Sequence, residues 1–150
     1  MNPTDLPTPA PGPVNEAPRH ATGYAGDISP ALAWQWLQAG QAVLVDVRTD
    51  AEREWVGFVP GAIALAWKQW PGMAINPGFD EGIVAAVPTG HKAMLLCRSG
   101  VRSVAAARRA AELGVEAYNI LEGFEGHPNP DGHRNQLAGW RQRGLPWRQN

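Results

Sequence analysis

Apolar residues arrive along this chain in short runs, separated by breaks that carry glycine or proline. "DISPALAWQWLQAG" reads as a helix. Ser29 stands at the N-cap, Pro30 in the first turn and Gly40 just past the end, with Leu32, Trp36 and Leu37 on the buried side and Trp34 on the surface. "AVLVDVR", from Ala42, is β-branched with few polar positions, the pattern of a central buried strand. "GAIALAW", from Gly61, predicts a second strand, and "DEGIVAAV", Asp80 to Val87, a short helix closed by Pro88 and Gly90. "KAMLLC", Lys92 to Cys97, is the next strand. "RSVAAARRAAEL" follows as an alanine-dominated helix with Gly114 as its stop, then "EAYNIL", residues 116 to 121, as another strand. Strands and helices alternate, which predicts an α/β sandwich on a mainly parallel sheet. Ligands of such sheets sit beyond the carboxyl ends of the strands, and Cys97 stands at one of those ends.

Composition narrows the class. With 150 residues, 44% of them hydrophobic and 18% charged, the chain suits one domain with one core. Six of its 14 prolines fall within the first 18 residues, so residues 1 to about 22 are expected to be disordered or extended, leaving 23–150 as the domain. No apolar run approaches the roughly 18 to 20 residues of a membrane span. The first residues lack the basic start and apolar stretch of a secretory signal, so the expected address is the cytoplasm. A net charge of −1 argues against nucleic acid as the partner. The charge is uneven, however: from His91 to Arg109 the chain carries Lys92, Arg98, Arg102, Arg108 and Arg109 with no acid, which points to a small anionic ligand. His20, His91, His127 and His133 show no metal-ligand spacing, and a single cysteine can make neither an internal disulfide, a CxxC pair nor a thiolate-rich zinc site. No metal or cofactor is expected.

That cysteine is followed by "RSGVRS", residues 98 to 103, between a buried strand and a helix. Consecutive backbone N–H groups, a turn eased by Gly100, the helix N-terminus, and the charges of Arg98 and Arg102 would together favour thiolate over thiol. The bland alternative for a lone cysteine is a small core residue. The surroundings favour a nucleophile cradled by Arg98, Ser99, Gly100, Val101, Arg102 and Ser103. Protein-tyrosine phosphatases and arsenate reductases of that type use Cys-x5-Arg. Here Cys97 and Arg102 enclose four residues, and the position a phosphatase would fill with arginine holds Ser103.

"CRSGVRS" resembles the active loop of single-domain rhodaneses, and three further motifs resemble that family in the same order. These are "VLVDVR" with Asp46 and Arg48; "EWVGFVPGAIAL" with Glu54, Gly57, Pro60, Gly61 and Ala62; and "YNILEGFEG". The resemblance implies a three-layer sandwich with a central, mainly parallel sheet flanked by helices. It implies a sulfurtransferase in which Cys97 takes a sulfane sulfur from a small anionic donor such as thiosulfate and holds it as a persulfide. Arg98 and Arg102 would attract the donor. An external thiol, a thioredoxin-like protein or cyanide would accept the sulfur. Asp46 and Arg48 would form a buried pair that fixes the loop.

Phe58 stands where the family usually has histidine, Phe124 replaces the second glycine of a usual pair, and residues 127–139 are longer than in compact members. The last segment is similar to that of a bacterial subgroup of small rhodanese-related proteins and is a candidate cover for the active face. Among seven tryptophans, Trp67 and Trp70 flank Lys68 as candidate pocket walls, with Trp67 preferred. The alternative function is a binding or persulfide-carrier module that serves a partner protein.

Overall fold

The computed structural model describes residues 15–149. Strands β1 (Gly26–Ile28), β2 (Ala42–Asp46), β3 (Ile63–Ala64), β6 (Lys92–Leu96) and β7 (Ala117–Ile120) form one sheet in the order β1-β7-β6-β2-β3, every neighbouring pair parallel. Strands β4 (Lys68–Gln69) and β5 (Ala74–Ile75) make a separate antiparallel pair. The helices are α1 (Pro30–Gln38), α2 (Asp50–Val56), α3 (Phe79–Ala86) and α4 (Arg102–Glu112). None is long and apolar enough to cross a membrane.

Alternation along the central strands divides the core in two. Leu44, Met94, Leu96 and Ile120 join Leu32, Phe124, Trp140 and Leu145 on one face of the sheet. Val45, Ala93, Leu95, Cys97 and Ala117 meet Phe79, Ile83, Ala106, Ala107 and Ala110 of α3 and α4 on the other. Three layers result, as the fold resemblance implied. The alanines let α4 lie close against the sheet.

The expected helix beginning at Pro30 is present, with the Ser29 side chain accepting from the Leu32 N–H. Its buried face differs from the expectation. Pro30, Leu32 and Ala33 are buried, while Trp36, Leu37 and also Trp34 are half-buried against the same cluster. Trp34 is therefore not a surface residue; its ring meets the buried Trp140 edge-on at 6.2 Å.

Residues 15–22 lie in the segment expected to be disordered or extended. Arg19 pairs with Asp27 of β1 through both backbone hydrogen bonds, at 2.8 and 2.9 Å. The rest of that segment, residues 1–14, lies outside the described residues.

Helix α2 has no apolar period to announce it, and none of its residues is buried. It starts on a full capping box: Thr49 accepts from the Glu52 N–H, and the Glu52 side chain accepts from the Thr49 N–H. That T-x-x-E signature was readable in "TDAE".

Candidate active site

Strand β6 delivers Cys97 to the carboxyl end of the central sheet, facing α4. The residue is 1% exposed, and its Sγ accepts the Gly100 N–H at 3.1 Å. Gly100 has φ +98, which turns the loop back over the sulfur. Ser103, in the first turn of α4, places its Oγ 3.2 Å from Sγ on the other side.

Two backbone bonds tie this loop to the turn after β7. The Cys97 carbonyl accepts from the Phe124 N–H at 2.8 Å, and the Arg98 carbonyl from the Glu125 N–H at 2.9 Å. The turn is tied in its own right to the C-terminal segment, the Gly123 carbonyl accepting from the Trp140 N–H at 2.8 Å.

A cleft of about 910 Å³ opens over the thiol. Cys97, Arg98, Ser99, Val101 and Arg102 line it, joined by Thr49, Glu52, Trp55, Lys68, Trp70, Met73 and Glu125. The loop residues expected from the sequence are thus together. Gly100 and Ser103 contact the sulfur, and the others border the opening.

Trp67 is not a wall. Its ring packs edge-on against the buried Phe79 at 4.9 Å, on the core side of β4. Trp70, beyond the other end of the strand, and Trp55 on α2 take that place. Residues 127–139 contribute nothing to the cleft. Its first half turns on itself, the Asn129 side chain accepting from the Asp131 and His133 N–H groups, and its second half packs on the turn after β7, the Asn135 N–H donating to the Glu125 carbonyl and the Gly139 N–H to Glu122 Oε1, each at 2.9 Å. The candidate cover thus does not border the cleft, and neither His127 nor His133 lines it. Trp140 is a C-terminal anchor, fully buried with its Nε1–H donating to the Pro146 carbonyl.

Arg102 departs from a free cation. Its Nη1 and Nη2 donate to Glu52 Oε1 and Oε2 at 2.6 and 2.7 Å, a two-pronged clamp across the cleft. Burial opposes ionisation of Glu52, but the hydrogen bonds and charge of Arg102, with help from Thr49, outweigh it and hold the carboxyl below its ordinary range. The same hydrogen bonds raise the Arg102 pKa against its own desolvation. Arg98 is exposed and Lys68 half-buried at the rim. The lining charges are three cations against Glu52 and Glu125, a net excess of one positive charge.

Asp46 and Arg48 are both fully buried and paired. Asp46 Oδ1 accepts from Arg48 N and Nε, each at 3.0 Å, and Oδ2 from Nη2 at 2.7 Å. Nη2 also donates to the Gly57 carbonyl, and the guanidinium lies 4.2 Å from the Phe124 ring centre. Phe124, the departure from the glycine pair, is what the arginine stacks on. Phe58 meets Arg148 through two backbone hydrogen bonds of 2.8 Å, so the C-terminal segment runs past the position where a histidine was expected.

Behind Ser103 a polar chain runs on through the sheet. The Ser103 hydroxyl donates to Asn119 Oδ1 on β7. Asn119 Nδ2 donates to Asp27 Oδ1 on β1 at 3.0 Å, and the Tyr24 hydroxyl donates to that same oxygen at 2.7 Å. Burial and the Asp27 carboxylate push the Tyr24 pKa up to about 12, so it remains a donor. Asn119 was not foreseen; its partner Asp27 is a register neighbour only in the folded sheet. No cluster of three or more His, Cys, Asp or Glu side chains among the described residues could hold a metal ion.

A polarised thiol at the floor of an open cleft with positive groups at its rim can act as a nucleophile towards an anionic or polarisable ligand. Comparisons with known proteins bear on the family and the fold. A structure from Mycobacterium tuberculosis, Rv0390, superposes with a TM-score of 0.77 at 41% identity, over 85% of this chain and 99% of that one. An uncharacterised protein of Rickettsia conorii is 37% identical over 115 residues, 71% of this chain and 82% of that protein. The thiosulfate sulfurtransferase GlpE of Actinobacillus succinogenes is 31% identical over 121 residues, 80% of this chain and 87% of that protein. The rhodanese-like domain pattern matches residues 29–127, which span α1, the whole sheet beyond β1, and the loop that carries the thiol. The chain belongs to the rhodanese-like domain family.

Proposed function

We propose that the protein is a sulfurtransferase that carries sulfane sulfur on Cys97. The supporting observation is the placement of the chain's one cysteine: under the Gly100 N–H, at the floor of a cleft bordered by Arg98, Arg102 and Lys68. In the forward half-reaction the Cys97 thiolate attacks the outer sulfur of thiosulfate. A new sulfur–sulfur bond forms, the donor's own breaks, and sulfite leaves with the bonding pair. In the second half an external thiolate attacks the outer sulfur of the persulfide and Cys97 leaves as thiolate. The acceptor must be external because no second cysteine exists to form a disulfide.

Intact mass tests this directly. Protein treated with thiosulfate and freed of excess should gain one sulfur atom, about 32 Da, which cyanide or a thiol then removes; Cys97→Ser should gain nothing. Absence of the adduct with both thiosulfate and a low-molecular-weight persulfide would overturn the reading.

A second reading, a persulfide carrier that docks a partner protein, draws support from the rim. Trp55, Trp70 and Val101 border the cleft while 78%, 68% and 75% exposed, an apolar edge far wider than thiosulfate needs. Loading from persulfide donors with negligible loading from thiosulfate would favour it.

The Glu52 clamp gives a kinetic expectation. Arg102→Ala removes a cation and leaves Glu52 uncovered, so kcat/KM for thiosulfate should fall about tenfold or more, the scale of a lost charged hydrogen bond. Glu52→Gln frees the guanidinium and should raise it a few-fold. Arg98→Ala, at an exposed and screened position, should lose less than Arg102→Ala. Unchanged kinetics in both Arg102→Ala and Glu52→Gln would remove these residues from donor binding.

A further inference from the structure

We propose that Asn119 is a positioning residue that turns the Ser103 hydroxyl so that its oxygen, not its proton, faces Cys97 Sγ, which disfavours the thiolate relative to a serine free to turn. The argument is one of proton direction. The Asp27 carboxylate offers only acceptors, and its Oδ1 already takes the Tyr24 hydroxyl, so the Asn119 amide must present its NH₂ group there. The Asn119 carbonyl oxygen is thereby aimed at Ser103. It carries no proton, so the single proton of the serine goes to it. What remains for Cys97, 3.2 Å away, is a lone pair on Ser103 Oγ.

Such an oxygen suits S–H and repels a thiolate. For Ser103 to donate to the ionised sulfur it must abandon Asn119, leaving a buried carbonyl oxygen without a donor, which is unfavourable. Ser103 and Asn119 are both buried, at 0% and 2% exposure, so water cannot readily take that place. The loop N–H of Gly100 and the loop arginines pull the other way. The relay therefore sets how much of the thiol is ionised before a donor arrives and how readily sulfur is discharged, since Cys97 leaves as thiolate.

This rests on Cys97 being the reacting sulfur, and the experiment reads the thiol rather than sulfur transfer, so the two readings can fail separately. The full chain is alkylated with iodoacetamide across pH. Thiolate displaces iodide, a carbon–sulfur bond forms, and the thiol proton passes to solvent. Rates are taken from intact mass and normalised to the high-pH plateau, which cancels differences in access.

Asn119→Leu frees Ser103 to donate to sulfur, and the midpoint of the profile is expected to fall by about one pH unit, roughly a tenfold faster reaction below both midpoints. In the Ser103→Ala background the same substitution should leave the midpoint where Ser103→Ala alone puts it. The charged groups that border the thiol's cleft are common to both members of the comparison: Arg98 in the loop, Arg102 on α4, Glu52 on α2, Lys68 on β4 and Glu125 after β7; the Asp46–Arg48 pair, on the opposite face of the sheet, is common to both as well. A midpoint that does not fall, or a fall that persists without Ser103, overturns the proposal.

Asp27→Ala, at a half-buried position on the edge strand, serves where Asn119→Leu fails to fold. It lets the amide invert and donate to Ser103. Its Ser103-dependent part should shift the midpoint in the same direction; the part that survives in Ser103→Ala is the lost charge of Asp27. No Ser103-dependent part would equally overturn the relay.

Discussion

Asp46→Ala is expected to destabilise the protein by about 3–5 kcal/mol, the usual consequence of leaving one member of a buried ion pair unpaired. Asp46 receives three hydrogen bonds from Arg48, and neither side chain has any solvent exposure. Water cannot replace the missing carboxylate. Arg48 Nη1 already has no hydrogen-bond partner, so the arginine has little else to turn to. A domain of this size has about 5–15 kcal/mol in total, so the variant should melt far below the parent or fail to accumulate. Replacing both residues, Asp46→Leu with Arg48→Met, should be much milder, because no charge is then stranded. Urea denaturation of both variants decides it. A loss under about 1 kcal/mol for Asp46→Ala would mean that the pair is not what holds this part of the core.

The pair's reach to the thiol loop is indirect. Asp46 shares the strand face of Leu44, opposite the face that carries Cys97. Arg48 stacks on Phe124, and the Phe124 N–H donates to the Cys97 carbonyl. The guanidinium therefore supports the loop through an aromatic ring and one backbone bond.

The second large effect is expected at Gly123. Its φ is +66, and a Cβ there would come within 2.5 Å of the Arg98 carbonyl carbon and 2.6 Å of both the Arg98 and Cys97 carbonyl oxygens. All three are backbone atoms of the active loop, so nothing flexible can move aside. Gly123→Ala must displace the loop, and a shift of about 1 Å in reacting groups can cost on the order of a hundredfold in rate. Loading of Cys97 by thiosulfate should fall by that order. Gly40→Ala makes the control: φ is +73, but nothing lies within 4 Å of the added carbon. It should cost about 1–2 kcal/mol of stability and leave loading unchanged. Equal loading in the two variants would show that the close approach at Gly123 does not set the loop's position.

What could be read in advance was what is local in the chain. Helix α4 was legible because alanine, the first-turn position after a glycine-bearing loop and the Gly114 stop all agree within fourteen residues of each other. The thiol and its loop amides were legible for the same reason, all lying between residues 97 and 103. Glu52's contact with the thiol loop was not, because its partner Arg102 is 50 positions away; the T-x-x-E cap could announce only the start of its helix. Asn119 and Asp27 are 92 positions apart and meet only through the parallel register of β1 and β7. The two tryptophans beside Lys68 were separated by packing: Phe79 offers a ring to Trp67, and Trp70 is left at the cleft. Strand β1 escaped notice because three residues with an aspartate in the middle carry no apolar run.

The tiered backbone beneath the thiol bears on the order in which a growing chain can be completed. Loop carbonyls at 97 and 98 are received by amides at 124 and 125, and the carbonyls at 123 and 124 by amides at 140 and 141. Each tier lies later in the sequence than the one it steadies. All five strands of the main sheet have been made once Ile120 has emerged, so the sheet can pair while the thiol loop still lacks its supports. During synthesis, the loop that holds Cys97 can therefore gain its full support only after the strands that present it have been made.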